Sequence, residues 1–366
     1  MKGQGPRAKD QMLPPVPPGG RGILWSLVLG LWSLAAAQEP PPFAPKAGEF
    51  PPEGAAREIS GELIGLDHVN RTGTLRPDRT DAQRTDDYDV AMPFALLPYA
   101  KTMFRGAHAE LRDVPLGTHL HGLFFVSELP AKNRKPVFDR ALRLEDDFSR
   151  FTRLNKTWRV ESVEIDKGRI GVSADGMKPA ALQVGPWTRV WKGSGFGTLK
   201  DLAVGQKILA NLTVCTLKGP GRCLDLWLDD ESRELARQRQ FEVHKLWQRE
   251  HGLGCWIDAV DNQAGTVTVT LFDAADPSLF KDFKVKDGIA AAVAEESLRT
   301  YDQINDTRRG PVLEVKAVPA VPGSSGVQLV FKPNPLLEGY RPQRYLRVFA
   351  GPWRIDDLPR EERLYR

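Results

Sequence analysis

At 366 residues, 41% apolar and 27% charged, the chain is too long for one small core and too apolar for a disordered segment. Lys and Arg outnumber Asp and Glu by 51 to 47, but residues 1–37 hold four of the bases (Lys2, Arg7, Lys9, Arg21) and only Asp10. Beyond them 47 bases face 46 acids, and a net charge of +1 gives no electrostatic reason to seek nucleic acid.

The basic leader runs into a largely apolar stretch over residues 23–37 that ends in Ala35-Ala36-Ala37. It suits a signal-peptide core and falls short of the ~20 residues a membrane span needs. Residues 1–37 are therefore read as a signal peptide cut after Ala37; the alternative is an uncleaved anchor. Residues 38–57, rich in Pro, Gly and Ala without apolar period, read as a flexible linker. The expected location is periplasmic or secreted, membrane-anchored only if the leader stays, with no membrane span after cleavage.

A repeated unit then organises the chain. Phe104-Arg105-Gly106 leads to Leu111-Arg112-Asp113 and, four residues later, Gly117 and an apolar run to Val126. Trp191-Lys192-Gly193, Leu199-Lys200-Asp201, Gly205 and a run to Val214 repeat that order. Before the first copy, alternation over residues 62–67 and a turn at 70–73 predict a hairpin. Residues 76–89 form a charged loop, and 92–99, broken by Pro93 and Pro98, an edge strand or packed loop. Leu142-Arg143-Leu144-Glu145-Asp146-Asp147 aligns with Leu226-Trp227-Leu228-Asp229-Asp230-Glu231 as a strand entering a helix start. The second of these helices, about 231–251, is long, charged and stopped by Gly252; its apolar Leu235, Phe241, Leu246 and Trp247 are too few for a core helix.

Hairpins over 158–172 and 255–269, turning at Gly168 and Gly265, open the second and third units. The third adds strands at 311–318 and 327–332 and repeats the Gly-Pro-Trp of 185–187 at 351–353. The pattern predicts a mainly β chain of tandem small OB-like β-barrel units with one long connecting helix. The units are 58–150, 151–251 including the helix, and a divergent 252–366 with a charged tail. An SH3-like barrel or small sandwich is the alternative.

Three motifs, ELRDVPLGTHLHG at 110–122, LRLEDDFS at 142–149 and SLRTYDQIND at 297–306, resemble signatures carried by exported repeat proteins of planctomycete-type bacteria. The resemblance spans most of the chain beyond the leader. It implies an exported repeat protein of tandem β-barrel units and supplies no catalytic residues.

His119 and His121, two apart on a predicted strand, face the same side. With His108 or His68 as third ligand they could hold zinc or copper; otherwise they are polar residues of a half-exposed strand. The second unit has Lys207 and Leu209 at these places. Cys215 and Cys223 flank a predicted hairpin turn at 218–221 and suit a disulfide, or stay as buried thiols; Cys255 reads as a buried apolar residue. Asp113 and Asp201 read as turn-fixing acids rather than acid–base catalysts. The clusters 145–147 and 229–231 read as helix caps rather than calcium sites. Residues 301–306 offer a polar loop or a sugar- or peptide-binding stretch. Trp158, Trp187, Trp191 and Trp256 are assigned to the core. No hydrolase, phosphate-loop, dinucleotide or zincin motif occurs. The expectation is a non-catalytic binding or assembly module with envelope proteins or polymers as partners; the alternative is zinc or copper binding by the first unit.

Overall fold

The computed structural model describes residues 41–353 except 53, 79–90, 133, 214–220, 294–307 and 337–338. The described residues fall in one compact unit. Its first barrel comprises β1 (Arg57–Asp67), β2 (Thr72–Pro77), β3 (Met92–Phe104), the short β4 (Ala107–Ala109) hairpinned onto β3, β5 (His119–Val126) and β6 (Phe138–Asp146). Helix α1 (Asp147–Arg153) follows. The second barrel uses β7 (Trp158–Glu164), β8 (Arg169–Ser173), β9 (Ala180–Gln183), β10 (Arg189–Lys192), β11 (Gly195–Phe196), β12 (Lys207–Leu212) and β13 (Gly221–Trp227). Helix α2 (Asp230–His251) leads to β14 (Leu253–Asp261), β15 (Thr266–Phe272), β16 (Gly288–Val293), β17 (Arg308–Ala317), β18 (Ser324–Phe331) and β19 (Tyr345–Ala350).

The first ring closes in the order β1-β2-β3-β6-β5 and the second as β7-β8-β9-β13-β12. In each, the third and fifth strands are parallel (β3 with β6, β9 with β13) and the other pairings antiparallel. This is the Greek-key closure of an OB barrel, which leaves no free sheet edge in the ring. The third barrel closes with six strands, all antiparallel, in the order β14-β15-β18-β17-β16-β19.

One local device recurs in all three. The first hairpin of each barrel has a bulge, after Leu63, Val160 and Ile257 respectively. These three side chains are almost wholly buried. Each exchanges two backbone hydrogen bonds with the turn before a later strand. Gly117, Gly205 and Gln343 donate to Leu63, Val160 and Ile257 at 2.8, 2.7 and 2.7 Å. Those three residues donate back to Thr118, Gln206 and Arg344, each at 2.9 Å. The donating turn residue is left-handed every time, with φ of 87°, 86° and 68°. The divergent barrel thus keeps the opening of the repeat although Gln replaces Gly.

Three apolar clusters fill the barrels. Helix α1 seals the second: Phe148 packs edge-on to Trp227 and Phe151 against Trp158, both with centroids 4.8 Å apart. Trp256, Phe272 and Tyr345 of the third barrel join the core of the first, with Tyr99 among them. Helix α2 buries a polar stripe of Gln240, His244 and Gln248, not its apolar residues. Gln240 donates to the His108 carbonyl at 3.3 Å, and Gln248 donates to the Ala274 carbonyl at 3.0 Å. The helix therefore bridges the first and third barrels through hydrogen bonds. No helix among the described residues is long and apolar enough to cross a membrane.

Three expectations need correction. Residues 92–99 belong to a barrel-wall strand paired on both sides, and Pro98 is accommodated in the register break between Leu96 and Lys101. Trp187 is not in the core: it is 53% exposed and folds back over Gly185. The capping acids are Asp146 and Asp229, one place out of step with the sequence alignment. Asp146 accepts the Arg105 N–H and Asp229 the Gly193 N–H, each at 3.0 Å, so these two are the structural equivalents.

Candidate metal centre

Strand β5 presents Leu120 and Phe124 to the barrel interior, so alternation turns His119 and His121 outward. Beside them on β1, Glu62 pairs with His119 and Ser60 with His121. That outer face is not open to water at His119, which is only 2% exposed because α1 begins across it. The first residue of α1 is Asp147, itself buried.

His119, His121 and Asp147 bring three potential ligand atoms within 4.8 Å of one another. Oδ1 of Asp147 lies 2.8 Å from Nδ1 of His119 and 2.9 Å from Nε2 of His121. The two rings meet edge-on, centroids 4.6 Å apart. The remaining ring nitrogens point at other partners: His119 Nε2 at Oδ2 of Asp78, 3.0 Å away, and His121 Nδ1 at Oγ of Ser60, 2.8 Å away. Oδ2 of Asp147 accepts the Leu212 N–H at 2.9 Å. Burial alone would raise the pKa of Asp147, but the charge and hydrogen bonds of His119 and then His121 hold it well below the usual carboxylate range.

The neighbouring acids have structural tasks. Asp146 caps α1 through the Ser149 N–H at 2.8 Å and accepts from the Asn211 amide at 2.6 Å. Asn211 in turn accepts the Phe148 N–H at 2.9 Å. Glu145 is gripped bidentately by Arg153 at 2.9 and 2.5 Å. Burial opposes its ionisation, and Arg153 with Arg143 overcomes that and lowers its pKa.

The other sequence candidates lie elsewhere. His108, on β4, does not join the pair; its ring stacks on His244 of α2 with centroids 6.0 Å apart. Burial, then His244 and Lys101, push its pKa down to about 4. His68 is exposed in the β1–β2 turn. Asp113 and Asp201 accept the backbone N–H of Glu110 and Thr198 at 2.8 Å, as turn-fixing acids do. Cys215 lies outside the described residues, so its pairing with the wholly buried Cys223 is not described. Residues 301–306 also lie outside them. Burial raises the Cys255 thiol pKa well above its ordinary value.

Sequence reasoning missed Asp147, because it ended one element while the histidines began another. The readable signal was that Asp146 alone suffices as the cap, leaving the acid after it unassigned. In the second barrel the corresponding Asp230 is almost fully exposed and pairs with Arg233. The constellation therefore belongs to the first barrel.

No protein-family model matches the chain, and no curated protein matches it. A solved structure that matches is a Cu(II) structure of a CusF tryptophan-to-alanine variant from Escherichia coli. It is 12% identical, covers 20% of this chain and 89% of that chain, and has a TM-score of 0.16. At that score the likeness carries no argument about the site.

Proposed function

We propose that the protein is an exported, non-catalytic binding module whose first barrel holds zinc or copper(II) between His119, His121 and Asp147. One observation carries the metal reading. Each histidine turns one nitrogen towards Asp147 and engages the other with Asp78 or Ser60. Outer partners of this kind fix the tautomer of a ligating imidazole and leave the inner lone pair for a cation. Two imidazoles and a carboxylate suit zinc or copper(II), with a fourth position for water or a partner's side chain. The basic leader and apolar run at 23–37 support export, which makes envelope proteins or polymers the expected partners.

The test is metal analysis of the protein purified without a histidine tag, then titration with zinc and copper(II). The reading expects about one equivalent bound, and its loss in the His119→Ala/His121→Ala double variant. Equal metal content in wild type and a folded double variant would sink it.

A further inference from the structure

We infer that the cleft between the first barrel, α2 and the third barrel binds a small monocarboxylate with a flat apolar body. The cleft spans about 400 Å³, part of it open to solvent, and Arg71, Glu110, Trp247, Phe272, Tyr345 and Arg347 contribute to its lining. It shares no residue with the proposed metal centre and stands apart from that reading.

Arg347 is 8% exposed. Its Nη1 donates to the carbonyls of His251 and Gly252, both at 3.1 Å, and its guanidinium lies 5.1 Å from the centre of the Trp247 ring. Those contacts account for its place at the end of α2, where a cation also favours the helix dipole. They leave its buried Nε–H without an acceptor among the described residues. Arg71, in the β1–β2 turn, repeats the situation: Nη1 donates to the Pro98 carbonyl at 3.2 Å, and among the described residues the buried Nε–H has no acceptor. Among the described residues neither guanidinium forms an ion pair.

Buried N–H groups without partners are costly, more so on a charged group. What satisfies these two must accept hydrogen bonds and is favoured if negative. Glu110 is the acid that lines the cleft; burial raises its pKa against the pull of Arg71, Arg347 and Arg112. With Glu110 ionised, the two cations that line the cleft against its one acid leave a deficit of one negative charge, which a monoanion fills and a phosphate dianion overshoots. The rings of Trp247, Phe272 and Tyr345 offer walls to a flat apolar body, the usual division between orienting polar groups and apolar lining.

The experiment is calorimetric titration of the full chain with benzoate, alongside benzamide (the same shape without charge) and acetate (the same charge without a ring). Saturable one-to-one binding of benzoate is expected, with both comparators weaker by about tenfold or more. Arg71→Gln, which leaves the α2 cap intact, should weaken benzoate by about tenfold or more in a protein that remains folded. Arg347→Lys keeps the charge at the helix end but loses the planar fork, and should weaken it likewise. Absence of saturable benzoate binding, equal binding of benzamide, or unaltered binding in a folded Arg71→Gln variant would each overturn the inference.

Discussion

Asp147 accepts the backbone N–H of Leu212 at 2.9 Å with one carboxylate oxygen while the other faces His119 and His121. The carboxylate that completes the histidine pair of the first barrel is thereby fastened to β12 of the second. Removing it takes one partner from each of three polar groups, the Leu212 N–H and a ring nitrogen of each histidine. Asp147→Ala should cost on the order of 3–5 kcal/mol in urea unfolding, the range for breaking a buried charged pair. Asp147→Asn keeps an acceptor oxygen for Leu212, should cost less, and should still abolish metal uptake. A cost for Asp147→Ala below about 1 kcal/mol would mean that water replaces the carboxylate and the joint between the barrels is loose.

Metal occupancy must appear in stability if the centre is real, because a ligand bound only by the folded state adds RT ln(1 + [L]/Kd). Zinc at about a hundred times its Kd should raise the unfolding free energy by ~2.7 kcal/mol, and excess EDTA should remove the gain. The His119→Ala/His121→Ala protein should show neither change. An equal zinc effect on both proteins would locate the ion elsewhere.

A separate row of rings responds to acid. His108 stacks on His244, His244 on Trp247 and Trp247 on His251, with interplanar angles of 22°, 11° and 12°. Burial is the main cause that pushes each of these histidines down to about 4. A histidine with a lowered folded-state pKa binds more protons when unfolded, so its contribution is full above the ordinary value near 6.5. That contribution is lost as pH falls from there to about 4 and is constant below. Among the described residues both ring nitrogens of His244 lack a hydrogen bond of good geometry, although the Ala274 backbone is close. His244→Phe should therefore keep the stacking, leave stability near pH 7 unchanged or higher, and flatten the loss between pH 6.5 and 4. Superimposable stability–pH curves for the two proteins would show that His244 does not drive the acid limb.

How far the fold was legible depends on the range of the interactions. Strand alternation, Gly-closed turns and the spacing of the Leu-Arg-Asp and Leu-Lys-Asp elements are local, and they suffice for tandem OB-like barrels. The third barrel's kinship was less visible because its left-handed turn residue is Gln343 rather than Gly. His119 and His121 were visible as a pair because a strand puts alternate residues on one side. Asp147 was not, since 26 residues and a loop separate it from His121, and only barrel closure brings them together. Helix α2 was legible as a connecting helix too poor in apolar residues for a core, but its mode of docking was not, because the hydrogen bonds of Gln240 and Gln248 leave no hydrophobic period.

The shared turn allows a test of that kinship. Gly205 has φ of 86° and nothing within 4 Å of where a Cβ would stand, so Gly205→Ala isolates the backbone. It should destabilise by about 1–2 kcal/mol, the cost of a left-handed L-residue. Gln343 already bears that strain, so Gln343→Gly should change stability by less than about 1 kcal/mol, strain relief offsetting the greater freedom of the unfolded chain. Equal losses from both changes would mean that the two turns do not share a template.

The register of the helix caps gives the sharpest contrast between neighbouring residues. Asp229 accepts the Ser232 N–H at 2.7 Å and the Gly193 N–H at 3.0 Å, tying the start of α2 to the second barrel. Asp230, which the sequence alignment sets opposite the true cap Asp146, is 98% exposed and meets Arg233 in an ion pair. An N-cap is worth about 1–2 kcal/mol, and an exposed pair at this spacing a few tenths. Asp229→Ala should therefore lower the unfolding free energy by about 1–2 kcal/mol and Asp230→Ala by less than about 0.5. If Asp230→Ala proved the more damaging change, the helix would begin one residue later and the equivalence of Asp146 with Asp229 would fail.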